Sequence, residues 1–320
     1  MKYSVIIPLY NKEPYIEKAL RSVFSQTYTD YEIIVVDDGS QDNSSTIAER
    51  VLTESAAPYQ LIRQENVGVS MARNNGVARS QGDYLCFLDA DDWWDPAFLE
   101  EMSKLIEEFP DAGIYGTSYT IVNETKHKTR VAPIGVEPGF EKGYINYCQV
   151  YAKTLAMPLT SISVAIPRAV FYEMGGFPQG IKLGEDFLLW IRIALKHKVA
   201  FLNKPRAFYN QDSNPIWRGT RHLADPTFHM LWHLPLLEAE ERKIPDYKIL
   251  VDTLRTNNLF PYYLSNQYKE SARQQLDKVD WDQQSNKVKD LYKTPRSVLI
   301  IRQLVLRLGS AIKSFLIKHI

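Results

Sequence analysis

An α/β fold, with a mostly parallel sheet flanked by helices and a helical C-terminal region, follows from three features of this 320-residue sequence. Up to residue 88, short β-branched runs alternate with segments of helical period. Strands joined through helices require crossover connections, which are right-handed and make neighbouring strands parallel. Acidic or polar turns follow the strand ends, and a doubly wound sheet binds its ligands beyond those ends.

The elements read in order. Residues 3–8 form a strand, and a helix starts at Pro14, with Ile16, Leu20, Val23 and Phe24 at helical spacing and the proline suited to a first turn. Residues 31–37 are a buried strand, Asp38-Gly39-Ser40 a turn, and 45–53 a helix. Residues 59–63 and 84–88 are further strands around a helix over 70–79. Beyond Asp111 the alternation weakens to strands near 114–122 and 161–166 and a helix near 185–196; after about His222 the pattern is helical. The predicted domains are 1–220, with halves of about 1–115 and 116–220, then a helical region over 221–295 and a basic amphipathic helix over 296–320.

Composition removes several functions. With 38 basic and 38 acidic residues there is no global field for nucleic acid. Cys86 and Cys148 make neither a disulfide framework nor a zinc spacing, and Cys86 reads as a buried thiol. The N-terminus carries no apolar leader, so a reducing cytoplasm is the expected compartment. Neither Gly-x-Gly-x-x-Gly after the first strand nor Gly-x-x-x-x-Gly-Lys-Ser/Thr occurs, against a dinucleotide dehydrogenase and a P-loop NTPase.

From Arg296 onward no acidic residue occurs. Ile301, Leu304, Val305, Leu308, Ile312, Phe315 and Leu316 share one helical face, with basic residues on the other side. Such a helix suits the surface of an anionic membrane, peripheral on the inner face; the alternative is packing on its own chain or on a second subunit as a homodimer.

The strongest chemical signal is Phe87-Leu88-Asp89-Ala90-Asp91-Asp92, where Asp-x-Asp ends a strand. Two carboxylates at one sheet edge suit a hard divalent cation, and through it a diphosphate. Acidic residues after strands also form turns and caps, and Asp92 or Asp95 suits the helix starting near Pro96.

Four blocks, Val5-Ile6-Ile7-Pro8-Leu9-Tyr10-Asn11, Ile34-Val35-Val36-Asp37-Asp38-Gly39-Ser40, Asn66-Val67-Gly68 with Ala72-Arg73-Asn74-Asn75-Gly76, and the Asp-x-Asp run, resemble the successive motifs of family 2 glycosyltransferases of the GT-A, Rossmann-like fold. Gly175-Gly176-Phe177 followed by Glu185-Asp186 and Leu189-Trp190 resembles the acceptor-side block. Five blocks in order, over about residues 3–200, are more specific than any one of them.

The resemblance implies transfer of a hexosyl or N-acetylhexosaminyl unit from a nucleotide-diphosphate sugar, first of all a UDP-sugar, to an acceptor hydroxyl with inversion. The acceptor implied is a surface polysaccharide or a lipid-linked oligosaccharide. By this likeness Pro8 and Tyr10 line the base pocket, Asp38 accepts a hydrogen bond from base or ribose, and Arg73 seats the nucleotide. Asp89 faces the ribose, Ala90 lies in the donor site, and Asp91, with Asp89, holds Mn²⁺ or Mg²⁺. Asp186 is the general base and Glu185 the second choice; Trp93, Trp190, Arg221 and His222 belong to the donor or acceptor pocket. One departure stands out: an Arg-x-His segment common in relatives is replaced by Asn210-Gln211-Asp212, so its contact is absent, shifted to Arg218, Arg221 or His222, or made by Asp212.

Plainer readings stand beside these. Tyr10 suits a core, Asp38 a turn, Asp186 the first turn of a helix, Arg73 and Asn74 a solvated face with Arg79, and Trp93 and Trp94 a core. His229 and His233, four apart, read as a structural pair on a helix. Two other functions compete: a haloacid-dehalogenase-like phosphatase, which wants its Asp-x-Asp strand first, and a non-catalytic nucleotide-sugar or glycan-binding protein on a transferase scaffold.

Overall fold

Ten strands form one sheet in the computed structural model, which describes residues 2–212, 223 and 225–301. The first half alternates strand and helix: β1 Tyr3–Leu9, α1 Ile16–Phe24, β2 Tyr31–Asp37, α2 Ser44–Leu52, β3 Tyr59–Arg63, α3 Val69–Arg79 and β4 Tyr84–Phe87. β1 pairs in parallel with β2 on one side and β4 on the other, and β3 lies outside β2. Every residue of β2 and all but one of β1 are buried, as continuous apolar strands covered on both faces should be. α1 turns Ile16, Ala19, Leu20 and Val23 inward, and α3 approaches the sheet at Gly76, where a Cβ would come within 2.6 Å of Ile6. Chain order reverses about β1, opening a crevice beyond the carboxyl ends of β1 and β4.

The second half comprises β5 Trp93–Trp94, α4 Phe98–Glu108, β6 Ala112–Asn123, β7 Lys128–Val131, β8 Lys142–Ile145, α5 Tyr147–Thr154, β9 Val164–Pro167, α6 Arg168–Glu173, α7 Glu185–Ala194 and β10 Lys198–Asn210. The sheet runs β3-β2-β1-β4-β9-β6-β10-β5, with β7 on β6 and β8 on β10. Its longer ladders are parallel, including β6 with β10; β9 runs antiparallel to both neighbours. Pro205, in the middle of the 13-residue β10, argues on sequence grounds against a strand there. The structure accommodates that proline with register shifts on either side of it.

Short 3-10 turns, then α8 Glu238–Lys243, α9 Pro245–Asn258, α10 Phe260–Leu264, α11 Lys269–Leu276 and α12 Asn286–Lys293 complete the described chain. His229 and His233 lie on those turns and not on one helix. Two compact units divide at Leu250. Within the second, Tyr292 packs against Phe260, Tyr263 and Trp281, and Arg255 is fully buried beside Asp252. Among the described residues no helix is long and apolar enough to cross a membrane. Arg218, Arg221, His222 and residues 302–320 of the basic helix lie outside the described residues.

Candidate functional site

Beyond the carboxyl ends of β1 and β4 lies a cavity of about 700 Å³, within the range of small-ligand sites. It brings together Pro8, Tyr10, Asp38, Arg73, Asp89, Ala90, Asp91 and Glu185. Lys12, Tyr209 and the segments 66–69 and 180–183 also line it; the sequence reading missed their place there.

The loops behind it are stitched together. Asn11 adopts a left-handed backbone (φ 50°), tolerable for asparagine, and its Oδ1 accepts from the Gln41 N–H at 2.7 Å. The Asn11 N–H donates to Ser40 Oγ, and that of Lys12 to Ser44 Oγ. Asp38 is more than a turn residue: its carboxylate accepts from Gln64 Nε2 and from the Val67 and Gly68 N–H groups at 2.8–2.9 Å. Gly68, at φ 91°, has the conformation that turns its N–H to this use at the head of α3. Three of roughly four acceptor sites on the carboxylate are thereby filled.

Arg73 is 3% exposed and no part of a solvated face. It donates to Asp89 Oδ1 at 2.7 Å and to Glu185 Oε1 at 2.9 Å, and lies 5.0 Å from the centroid of the Phe177 ring. Asn74 exchanges two hydrogen bonds with the Phe177 main chain. Helix α3 therefore ties the loop after β4 to the segment leading into α7. Asp91 meets Lys12 Nζ at 2.6 Å.

Asp92 is buried, and its carboxylate accepts from the Asn210 N–H at 2.7 Å. Burial, then the charges of Asp91 and Asp89, push its proton affinity well up. It therefore caps no helix; Asp95 bonds the Ala97 N–H and pairs with Arg206. Asp212 accepts from the Thr125 N–H.

Asp186 is not among the cavity-lining residues. In the first turn of α7, behind Glu185, its Oδ2 accepts from Ser161 Oγ at 3.1 Å and its Oδ1 from the Phe187 N–H. Burial, reinforced by Glu185, raises its pKa to about 7 against the pull of Arg73. Tyr151 feels the charge of Asp186: its phenol is held well above the usual range, by burial first and Asp186 second.

The tryptophans divide. Trp93 is half-buried, stacked on Phe208 at 5.5 Å beneath the Lys18 ammonium. Trp94 is core and donates to the Ile162 carbonyl. Trp190 is fully buried, edge to face with Phe177, so it belongs to the core and does not line the pocket. His229 Nδ1 accepts from the Leu231 N–H and His233 meets the Thr227 carbonyl, a structural use for both. Their segment bridges to Leu183 and so fixes one cavity wall.

No cluster of three metal-ligating side chains occurs among the described residues. The donor set nonetheless suits Mg²⁺ or Mn²⁺ held by one or two carboxylates, with the remaining ligands from phosphate and water. Asp91, at the cavity wall and already drawing a cation, is the fitting ligand; Asp89 is engaged by Arg73.

The model of the family described as Glycosyl transferase family 2 matches residues 4–173. Glycosyltransferase GlyA of Streptococcus pneumoniae is 36% identical over 209 residues, 63% of this chain and 30% of that protein. An uncharacterized glycosyltransferase of Rickettsia conorii is 30% identical over 237 residues, 68% and 38% of the two chains. The chain thus spans roughly a third of the length of these relatives. Among solved structures, Staphylococcus aureus TarS in complex with UDP-GlcNAc superposes with a TM-score of 0.69 at 19% identity, over 87% of this chain and 79% of that one. GalNAc-T7 with UDP, GalNAc and Mn²⁺ gives 0.53 at 20% identity, over 66% and 44%. These two likenesses are of fold.

Proposed function

Since the chain belongs to glycosyl transferase family 2, we propose that it moves a sugar from a UDP-sugar to an acceptor hydroxyl with inversion, with a divalent metal ion assisting. The observation that carries this reading is the 700 Å³ cavity at the sheet's switch point, with Asp91 on one wall and the first turn of α7 on another. TarS was solved with UDP-GlcNAc, and GalNAc-T7 with UDP and Mn²⁺; these supports favour uracil and a divalent ion.

Tyr10, 45% exposed at the cavity, offers a flat face to the base. Asp38 keeps the 64–68 loop in register and retains an acceptor position for base or ribose. Arg73 orients Asp89 toward the ribose while holding Glu185. Asp91 would hold Mn²⁺ or Mg²⁺, which when bound supplies Lewis-acid charge to the departing diphosphate.

Inversion by single displacement needs a carboxylate on the face opposite the leaving group. Asp186 is the base in this reading: a carboxyl pushed up to about 7 holds the acceptor's proton better than an ordinary one. Glu185, facing the cavity and neutralised by Arg73, orients the donor side.

Residues 1–220 would form the catalytic domain, 221–295 a helical region, and 296–320 a helix seated on the inner face of a membrane or on a second subunit. The acceptor class is a surface polysaccharide or a lipid-linked oligosaccharide. A thermal-shift screen of nucleotide sugars with and without Mn²⁺ tests the donor assignment, because a ligand of the native state raises the Tm. A UDP-sugar should raise it most with Mn²⁺ present; no shift from any nucleotide sugar would contradict the reading.

A further inference from the structure

Lys12 Nζ lies 2.6 Å from Asp91 Oδ2, and the two side chains are only 22% and 14% exposed. Around this ion pair the main chain of Lys12 is held on several sides. Its N–H donates to Ser44 Oγ at 2.7 Å, and its carbonyl accepts from the Tyr15 and Ile16 N–H groups. Its neighbour Asn11 is bonded to Ser40 and Gln41. The backbone of Lys12 is thus anchored to the loop after β2, while its ammonium reaches the loop after β4.

An ammonium on a flexible four-carbon stem is a compact charge that moves readily between acceptors. Arg73 differs: its guanidinium is buried and gripped by two carboxylates. Of these two cations at the aspartates, Lys12 is the one whose stem allows exchange.

We propose that Lys12 is the resident cation of Asp91 in the donor-free protein and passes to the donor's diphosphate when a divalent ion takes the carboxylate. This rests on the nucleotide-sugar reading of the cavity and adds a positioning residue and an order of binding to it. The ammonium and a divalent ion would compete for the same carboxylate. A metal ion arriving alone must displace Lys12 and leave a half-buried ammonium unpaired, which is costly. A metal ion arriving with a diphosphate brings anionic oxygens that pair the ammonium again. Metal and nucleotide therefore bind with positive coupling beyond what the metal's own hold on the diphosphate gives, and Lys12 supplies that added part.

Lys12→Met keeps the stem and removes the charge; Lys12→Gln is a second variant should the first fold poorly. Mn²⁺ is titrated alone and followed by the electron paramagnetic resonance of the free ion; UDP is then titrated at saturating Mn²⁺. The expected result is Mn²⁺ binding tightened about tenfold in the variants, with UDP binding weakened about fivefold, within the usual span of coupling between sites. Mn²⁺ affinity that neither variant raises, including none measurable in any of the proteins, overturns the proposal. If wild type binds UDP with Mn²⁺ and the variants keep its Mn²⁺ affinity, the assignment of Lys12 alone falls. If wild type binds no UDP even with Mn²⁺, the uridine-donor reading falls, and the exchange with it.

Discussion

Arg73 Nη1 donates to Glu185 Oε1 at 2.9 Å, joining helix α3 to the first turn of α7 across 112 residues of sequence. The same guanidinium takes Asp89 at 2.7 Å, so one buried cation holds the two halves of the site in register. Arg73→Gln leaves two carboxylates without their cation. Removing one partner of a buried pair costs about 3–5 kcal/mol, and the exposure of Asp89 to water puts the expected loss near the lower end. Urea denaturation measures it, and a loss below about 1 kcal/mol, the level of a surface pair, would refute a structural role.

The proposed role of Asp186 predicts a pH dependence. If it is the base, with a pKa of about 7, kcat/KM should fall about tenfold per pH unit below that value, as a pH–rate profile would measure. Its effect on stability has the opposite sense. A carboxyl raised from 3.8 to about 7 on folding contributes stability that is full below pH 3.8 and lost as pH rises through 7. Asp186→Asn should therefore melt roughly 2–4 °C above wild type at pH 8, with a smaller gap at pH 5. A variant less stable than wild type at pH 8 would contradict the burial of a costly charge.

Trp190 fills the core beside Phe177. Trp190→Ala should cost about 3–5 kcal/mol, whereas Trp93→Ala, at a half-buried site, should cost much less. Equal losses in chemical denaturation would contradict the division between core and surface.

The strand ends were legible because sheet topology alone carries β1, β2 and β4 to one rim, and with them Tyr10, Asp38, Asp89 and Asp91. What the sequence hides is side-chain reach. Lys12 meets Asp91 across 79 residues, and Asp92 meets Asn210 across 118. No spacing rule encodes such contacts, which depend on how loops stack. For Asp38 a turn stayed open beside the binding role because its partners at 64–68 lie beyond an intervening helix. The direction of Asp186 toward Ser161 was equally hidden: adjacent positions on a helix point about 100° apart, so Glu185 and Asp186 face different neighbours.

The basic segment 296–320 offers a separate test. A chain ending at Ile301 keeps every described residue and loses Arg302, Arg307, Lys313 and Lys318. The 320-residue chain should sediment with vesicles containing anionic lipid and the shortened chain should stay in the supernatant, since each basic residue near such a surface contributes about 1 kcal/mol. Equal sedimentation would remove the membrane role.

The central claim is a division of labour: Asp91 anchors the diphosphate through a metal ion, and Asp186 serves only the incoming hydroxyl. Calorimetric titration of UDP at saturating Mn²⁺ into wild type, Asp91→Ala and Asp186→Asn tests it most directly. Asp186→Asn should bind within about threefold of wild type, and Asp91→Ala at least about tenfold more weakly, a difference of 1.4 kcal/mol or more. Comparable losses in both variants would contradict it.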